Sequence, residues 1–534
     1  MATAEKPKIN LEDAFVMEAP ALADWLIVAP LVVGFIFAAL CLMTRKNTKL
    51  QPLIAMSGLV LIVACVAGLF LHVLFNGTVI MAMGRWLPPF GIAFVADMLG
   101  ATLALVAGIV GLATGIYALR EADDTERRYG FYPFLLMMLA GVICAFLTGD
   151  IFNLYVWFEV LLLGSFGLLV LGSRREQLDG ATKYAFLNLV ATTLFLIAVA
   201  YVYGLFGTLN MADIARKATA REDVGPRLTL AALVFFAFAM KAAAFPLNFW
   251  LPASYHTPRL AVGAVFAGLL TKVGVYALLR VLLTLFPTDR DDLAISIAVV
   301  AAASMLLGAL GALAQTDMRR LLGYLVISGI GIMLAGLALG SATGLSGTAF
   351  YTAHSMVVMT ALYLMVGVIG AAGGTFDLNR SGGLYKAMPW LAVIALILAF
   401  SASGLPPFSG LWPKVYLVKA SIDVGAWWLA GAILLSGFLT TIALVRLFSY
   451  AFWRPAREGA TVGDAAARPI VAIGYPVLAG LCALTVVAGV YPEPFIQVAD
   501  RIAVELMNPA GYVEAVYGPA QAADTAVSNG ETTQ

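Results

Sequence analysis

Long apolar runs separated by short polar loops dominate the chain. About fourteen such runs lie between Val33 and Leu481, each near the roughly 20 residues that a helix needs to cross a bilayer. The runs lack the alternation typical of membrane β-strands, and backbone groups in lipid must be satisfied within helices or closed barrels. The pattern predicts an all-α polytopic membrane protein with about fourteen transmembrane helices. Their approximate centres are Val33, Leu61, Val106, Met138, Leu162, Thr193, Met240, Lys272, Val300, Ile330, Val358, Ser403 to Val418, Leu435 and Leu481.

The predicted spans divide the chain into six parts. Lys and Arg fall mostly in the loops after odd-numbered spans, which places those loops in the cytoplasm and both termini outside. The start of the chain has no basic segment followed by an apolar stretch, so we expect no cleavable signal. The end of the chain, from about Gly518, is small and polar, and we expect it to be disordered. The parts are an extramembrane segment (1–24), helices one to three (25–130), four to eight (131–286), nine to thirteen (292–451), fourteen (470–491) and a tail (492–534).

Composition and charge exclude several classes of protein. Of the 534 residues, 62% are hydrophobic and 12% are charged, which rules out a water-soluble domain. The 32 basic and 31 acidic residues nearly balance, so no surplus charge indicates a nucleic-acid partner. No spacing of Cys and His indicates a metal or iron–sulfur site, and we expect no cofactor. The four cysteines stand alone in apolar runs, at Cys41, Cys65, Cys144 and Cys482.

Two proline pairs recur at the same spacing in different spans. Pro246 and Pro252 lie in span seven, and Pro407 and Pro413 lie in span twelve, both displaced by 161 residues. A shift of five spans reverses direction across the membrane. Helices four to eight and nine to thirteen are therefore predicted to be inverted five-helix repeats, with helices seven and twelve broken, as in many secondary transporters. Prolines are common in membrane helices, so a chance coincidence of spacing is the alternative.

The prolines predict exposed main-chain oxygens at these breaks. A proline clashes with the carbonyl four residues before it, so Pro246 frees that of Ala242, and Pro407, which follows Pro406, frees that of Ser403. Irregular backbone at membrane depth must be buried in protein or line a wet cavity. The two breaks are therefore predicted to be interior features of the bundle.

A small set of charges lies deep in the apolar runs, at Glu159, Lys241, Lys272 and Lys414. A charge at the bilayer centre costs about 2.5 to 3.5 kcal/mol on insertion scales, so such side chains usually face the interior and have a partner. Burial favours proton loss from an ammonium group, and a nearby carboxylate opposes it. Glu159 and Lys241 are therefore predicted to pair and separate as a switch. His354 is the candidate intermediate, because imidazole titrates near neutral pH.

Structural interpretations stand beside these. Glu159 and Lys241 could form a static buried ion pair, Lys272 could be held structurally, and His354 could be a core histidine. Lys414 could sit at a re-entrant turn that water already reaches. A further group is interpreted as interfacial at helix ends, or as structural or solvated: Asp97, Asp150, Arg280, His72 and His256.

At these residues the chain resembles a known family, the D subunits of Mrp-type multisubunit cation/proton antiporters. That family is related to the antiporter-like membrane subunits of respiratory complex I and of membrane-bound hydrogenases. The resemblance implies fourteen helices, inverted five-helix repeats and broken helices seven and twelve. It is carried by TGDIFNLYVWFEVLLLGSF (148–166), MKAAAFPLNFWLPASY (240–255), LLTKVGVYALLR (269–280) and SGLPPFSGLWPKVYLVKA (403–420).

The resemblance also implies roles for individual residues. One departure is Met359, where a lysine is expected five residues after the helix-eleven histidine, so Thr352 and Thr360 are expected to assist the relay. The residues matched to the family's proton relay are Glu159, Lys241, Lys272, His354 and Lys414.

The expected function is that of a secondary transporter subunit in a bacterial cell membrane, not an enzyme. It would exchange protons for sodium or another monovalent cation, together with small hydrophobic and antiporter-like partner subunits. No phosphate-binding loop indicates ATP use, and no residue cluster identifies the cation site. The alternative is a proton-pumping or structural membrane subunit of a redox complex, such as complex I or a hydrogenase. Companion subunits would discriminate the two.

Overall fold

The computed structural model describes Phe15 and residues 20–220, 226–455 and 468–517. Within these ranges the chain folds into a bundle of helices with one short antiparallel hairpin, β1 (Val79–Ala82) and β2 (Ala93–Ala96). The predicted disorder from Gly518 and most of the predicted N-terminal segment lie outside the described residues.

The helices follow one another with short connections. The described α-helices are α1 (Ala29–Met43), α2 (Leu50–Asn76), α3 (Met98–Glu121), α4 (Asp124–Tyr129), α5 (Phe131–Leu147), α6 (Ile151–Val170), α7 (Arg175–Phe206), α8 (Met211–Ala220), α9 (Arg227–Ala242), α10 (Trp250–Ser254), α11 (Leu260–Val265), α12 (Thr271–Arg280), α13 (Pro287–Ala314), α14 (Met318–Leu339), α15 (Ala342–Gly373), α16 (Leu384–Ala387), α17 (Pro389–Ser403), α18 (Leu411–Asp423), α19 (Trp427–Phe448), α20 (Pro469–Val490), α21 (Glu493–Met507) and α22 (Ala510–Tyr517). Wider π-helical turns occupy Phe266–Leu270, Val281–Leu285 and Ser449–Trp453.

The all-α membrane class is confirmed. Ten helices in the described ranges are long and apolar enough to cross a membrane, and α1, α5 and α17 are shorter apolar helices. Thirteen of the predicted span centres fall within a described helix, and the twelfth, Ser403 to Val418, crosses from α17 into α18; the count of fourteen spans stays a prediction. The spans differ strongly in burial. In Leu260–Leu285 every residue of the most apolar stretch is buried, whereas in α2 only one-third of the corresponding stretch is buried. The span made of α11 and α12 therefore lies at the centre of the bundle, with α14 and α15.

Both predicted helix breaks are present. The first separates α9, which ends at Ala242, from α10, and the second separates α17, which ends at Ser403, from α18. The residue after each of these ends has a positive φ, 60° at Ala243 and 83° at Gly404. Each break also contains a main-chain hydrogen bond between residues five positions apart, from Ala244 N to Ala239 O (2.9 Å) in the first and from Leu405 N to Phe400 O (3.0 Å) in the second. The backbone thus follows the same course at positions 161 residues apart.

A second set of matched bonds lies where other helices of the two halves begin. Each half joins two loop ends through a reciprocal pair of main-chain bonds, and the two pairs are displaced by 167 residues. These matches support an internal repeat, and its inverted orientation stays a prediction. The bonds run from Ile151 N to Leu209 O (2.9 Å) and Met211 N to Gly149 O (2.9 Å), and from Met318 N to Phe376 O (3.0 Å) and Leu378 N to Thr316 O (2.8 Å).

The segment that the sequence analysis treated only as a tail contains two helices, α21 and α22. Helix α21 joins the ends of two spans. Arg501 donates to the Leu74 carbonyl at the end of α2 (2.8 Å), and Glu505 accepts from Met98 N at the start of α3 (3.0 Å). These contacts satisfy helix-end groups that have no partner within their own helix, and they fix α21 against the bundle.

Asp97 and Arg280 form a buried ion pair, and their interpretation as interfacial residues at helix ends stays a prediction. Asp97 does lie at a helix end, where it caps α3 by accepting from Gly100 N (2.9 Å). Its other oxygen accepts from Arg280 at 2.5 Å, and each residue is 3% exposed. Arg280 also donates to the Tyr276 hydroxyl (3.4 Å). The sequence did not reveal the pair because its members are far apart in the chain.

We predict that Asp97→Asn lowers the stability of the folded chain. Asparagine keeps a cap acceptor but removes the charge, which leaves the Arg280 guanidinium buried without a carboxylate. The loss in unfolding free energy should be about 3 kcal/mol or more, and thermal denaturation of the purified protein in detergent measures it.

Asp179→Asn is the matched control. Asp179 also accepts at 2.5 Å, from Lys183, but both side chains are more than half exposed, and such pairs contribute about 0 to 1 kcal/mol. Equal shifts in the thermal midpoint for the two variants would contradict a stabilising role of the buried pair.

Candidate functional site

The basic residues singled out from the sequence lie inside the bundle. Lys241 is 4% exposed, Lys272 is 0%, His354 is 7% and Lys414 is 8%. An ammonium group in such a place needs polar partners, because its burial without them is costly. The hydrogen-bond partners of these side chains indicate which chemistry the site can support.

Lys241 is held by helix α7. It lies in the last turn of α9, where its Nζ donates to Thr192 Oγ1 (2.5 Å) and to the Asn188 carbonyl (3.3 Å). The Thr192 hydroxyl in turn donates to the same carbonyl (2.8 Å). The ammonium also lies 5.5 Å from the centre of the Phe158 ring on α6. Its hydrogen-bond partners are therefore neutral oxygens.

Glu159 stands apart from the lysine that it is predicted to pair with. In the described part of the chain it forms no ion pair with Lys241, and its Oε1 is buried without a hydrogen-bond partner. The carboxylate nevertheless lies within electrostatic range of Lys241. The structure thus contains the separated arrangement, and a static ion pair does not describe it.

Lys272 is bound by an irregularity in its own helix. The π-helical turn Phe266–Leu270 directly precedes α12, and Nζ donates to the Ala267 carbonyl at 2.6 Å. Such turns are frequent at functional sites. Gly274 brings α12 against the end of α9, since a Cβ there would lie 2.7 Å from Ala242 N. The helices that carry Lys241 and Lys272 therefore meet closely.

Lys414 is bound by the second helix break. Its Nζ donates to the carbonyls of Ser403 (2.6 Å) and Ala402 (3.2 Å) at the end of α17. The Ser403 carbonyl is the one that Pro407 is predicted to free. Because α18 restarts at Leu411, Lys414 lies in its first turn and reaches back across the break.

His354 on α15 contacts the same break from the other side. Its Nδ1 lies 2.9 Å from Ser409 Oγ, which lies 3.1 Å from Ser401 Oγ. Lys272 and Lys414 are both within electrostatic range of the ring. The structure thus places His354 beside Lys414 and near the central helix that carries Lys272.

The prolines fall where the breaks require them. Pro246 and the pair Pro406–Pro407 lie in the connections between half-helices, Pro252 lies within α10, and Pro413 lies in the first turn of α18. In the first break the carbonyl of Met240 accepts from Trp250 Nε1 (3.2 Å). Side chains therefore satisfy main-chain oxygens at both breaks.

Two cavities border the second half of the site. One, of about 290 Å³, is almost entirely apolar, with His354 and Ser409 among its few polar lining residues. The other, of about 580 Å³, lies between α18 and α19 and is lined by Lys414, Lys419 and Thr441 among apolar side chains. The second cavity gives the Lys414 end of the site space beside its ammonium group.

Met359 and the two nearby threonines do not add a charged group. Met359 is 3% exposed. Thr352 donates to the Thr348 carbonyl (2.8 Å), and Thr360 donates to the Met356 carbonyl (2.7 Å) with a longer contact to Ala264 O (3.4 Å). Their expected assistance to a relay stays a prediction.

Sequence reasoning missed the neutral partners of the lysines. Thr192 and Asn188 hold Lys241, and Ser409 and Ser401 connect to His354. A signal for the first pair was present, since Tyr184, Asn188 and Thr192 recur every four residues and so share one face of α7. Among the described residues, no group of three or more His, Cys, Asp or Glu side chains is arranged as metal ligands would be.

Comparison with protein families gives a clear match. A family model described as NADH:quinone oxidoreductase/Mrp antiporter, transmembrane, matches residues 148–440. These residues contain every member of the predicted relay and both helix breaks.

Named relatives extend the match over most of the chain. The Na(+)/H(+) antiporter D subunit of Alkalihalophilus pseudofirmus is 37% identical over 493 residues, which cover 92% of this chain and 99% of the relative. The corresponding D subunit of Bacillus subtilis is 33% identical over 491 residues, with the same coverage of both chains.

Solved structures share the fold. A chain of the Mrp complex from Dietzia sp. has a TM-score of 0.86 and 30% identity, covering 93% of this chain and 100% of that one. A chain of the archaeal membrane-bound sulfane sulfur reductase has a TM-score of 0.82 and 26% identity, over 93% and 99% of the two chains. Respiratory complex I from Thermus thermophilus, at 24% identity, has a TM-score of 0.78, over 91% and 100%.

Proposed function

Because the chain belongs to the D subunits of the Mrp-type antiporters, within the NADH:quinone oxidoreductase/Mrp antiporter family, we propose that it carries protons in exchange for sodium or another monovalent cation. The proposed route runs along the interior from Glu159 and Lys241 through Lys272 and His354 to Lys414. The observation that carries this proposal is the binding of all three ammonium groups by neutral oxygens.

Neutral oxygens suit a group that must gain and lose a proton. A carbonyl or hydroxyl solvates an ammonium without neutralising it, whereas a contacting carboxylate would favour the charged form strongly. Lys272 and Lys414 bind only main-chain carbonyls among the described residues. Glu159, separated from Lys241 but within electrostatic range, is the group whose approach would change the proton affinity of that lysine.

His354 supports continuity between the two halves. Imidazole accepts a proton at one nitrogen while the other holds a hydrogen bond. With Nδ1 at Ser409 Oγ, the ring connects the second break to the side of α15 that faces the central helix. Water would bridge the remaining gaps between these groups.

The setting of the proposed exchange is a cell membrane, within a multisubunit complex. We propose that the complex holds small hydrophobic and further antiporter-like subunits, and that both termini of this chain lie outside. The second candidate, a coupling subunit of a redox complex, is favoured by the structural likeness to the sulfane sulfur reductase chain. The higher identity to the antiporter D subunits over nearly their full length favours the antiporter.

We predict that Glu159→Gln and Lys241→Met each reduce sodium-dependent proton movement by at least tenfold. Each substitution keeps the side-chain size but removes the titrating group that the relay needs. The measurement is proton movement in vesicles that contain the whole complex, with assembly checked by the amounts of the partner subunits. Lys183→Met, an exposed lysine on α7, is the control, and normal transport by either relay variant would overturn the proposal.

We predict that Gly404→Ala impairs transport through Lys414. A Cβ at this position would lie 2.6 Å from Lys414 Cδ and 3.1 Å from its Nζ, so the lysine side chain must shift from the position in which it binds the two carbonyls. The positive φ adds a backbone cost of about 1 to 2 kcal/mol.

Gly425→Ala separates these two effects. Gly425 also has a positive φ, 74°, but nothing lies within 4 Å of its Cβ position. Gly425→Ala should lose thermal stability through the backbone cost alone and keep normal transport, whereas Gly404→Ala should lose at least as much stability and also lose transport, by about tenfold. Equal transport in the two variants would show that the position of the Lys414 ammonium does not matter.

We predict that the purified complex contains antiporter-type subunits and no redox centre of its own. Its composition can be read by mass spectrometry, and its optical and paramagnetic resonance spectra report haem, flavin or iron–sulfur groups. Co-purifying iron–sulfur or nickel subunits would favour the redox-complex function.

A further inference from the structure

Thr192 is the closest partner of the Lys241 ammonium. Its hydroxyl is buried, accepts from Nζ at 2.5 Å and donates to the Asn188 carbonyl at 2.8 Å. The carbonyl also accepts from Nζ at 3.3 Å. The hydroxyl therefore has a definite direction, because its one proton is used for Asn188 and its lone pairs face the lysine.

We infer that Thr192 is a positioning residue that holds the Lys241 ammonium on α7 and away from the Glu159 carboxylate. This inference rests on the proposed function, because it gives the separated state of the proposed switch its own binding site. No comparison or motif assigns a role to Thr192, and its contact comes from the packing of α7 against α9.

The surroundings of Lys241 leave Glu159 as the competing partner. Helix α6 contributes the Glu159 carboxylate and the Phe158 ring, and α7 contributes the neutral Thr192 and Asn188. Helix α12 carries Lys272, whose ammonium is held by the Ala267 carbonyl. Helix α13 places Ser304 at the break, where its hydroxyl accepts from Phe245 N. Without the Thr192 oxygen, the group that would most stabilise the ammonium is the Glu159 carboxylate.

The free oxygen of Glu159 agrees with such a competition. Its Oε1 is buried and unpartnered, which is costly for a carboxylate. That cost would be relieved if the ammonium moved over to it. In the structure the ammonium stays in the separated position, and Thr192 supplies a bond that favours it.

The chain offers a matched control on the same helix. Thr193 is the next residue on α7, but it is exposed, and its hydroxyl donates to the Leu189 carbonyl at 2.9 Å. Thr192 and Thr193 thus make the same bond to their own helix, and only Thr192 contacts the lysine. Replacement of each by valine keeps the shape and removes the hydroxyl.

The test compares Thr192→Val, Thr192→Ser and Thr193→Val in the whole complex in vesicles. Sodium-dependent proton movement is measured from acid to alkaline pH. We expect Thr192→Val to slow exchange at least threefold near neutral pH and to move the alkaline limb of its pH profile about one unit higher, since a charge-assisted hydrogen bond is exchanged for an ion pair. Thr192→Ser and Thr193→Val should behave like the unmodified chain.

A structure of the Thr192→Val complex provides the second readout. We expect Lys241 Nζ within ion-pair distance of a Glu159 oxygen. Slower exchange with an unchanged profile, an acid shift of the alkaline limb, or an ammonium that stays at the Asn188 carbonyl would each overturn the inference. If the unmodified complex shows no sodium-dependent proton movement, the proposed function itself fails, and that outcome is distinct from the three above.

Discussion

Three ammonium groups are buried in an apolar bundle, and each requires oxygen atoms as hydrogen-bond partners. Each of the three lysines obtains them from a local departure from regular helix or from a neighbouring hydroxyl. Lys414 binds carbonyls released by the second break, Lys272 binds a carbonyl at a π-helical turn, and Lys241 binds Thr192 and the Asn188 carbonyl. The carbonyls that bind Lys414 and Lys272 lie at irregular backbone, so there the irregular backbone and the buried charge stabilise each other. The Asn188 carbonyl lies within the regular helix α7 and is shared with the Lys241 ammonium.

The helix breaks supply polar groups to the interior of the bundle. Open carbonyls in lipid would be unfavourable, and at the second break they face Lys414 while His354 and two serines line the other side. The matching main-chain bonds to the carbonyls of Ala239 and Phe400 indicate that the chain leaves the helix with the same backbone conformation in both halves. They differ in where the lysine stands, because Lys241 precedes its break and Lys414 follows its own.

Part of this arrangement was predictable from the sequence alone. Proline spacing predicts the two breaks, and the scarcity of charge in the apolar runs identifies Lys241, Lys272 and Lys414. The partners of these lysines were not predictable, since Thr192 meets Lys241 only when α7 packs on α9. The π-helical turn before Lys272 contains no proline and has no pattern of its own. The Asp97–Arg280 pair joins residues 183 positions apart, and no local periodicity reports such a contact.

Buried arginine and buried lysine have different partners in this interior. Arginine stays charged under all ordinary conditions, and Arg280 is paired directly with Asp97. Nearer the surface, Arg227 and Arg259 also bind carboxylates, at Asp289 and Glu126. The three buried lysines instead have carbonyl and hydroxyl partners. A permanent charge in a low-dielectric interior needs a permanent counter-charge, whereas a group that releases its proton would leave such a counter-charge unpaired at every release. The neutral partners of Lys241, Lys272 and Lys414 therefore agree with the proposed proton exchange, whereas the carboxylate partner of Arg280 suits a structural charge.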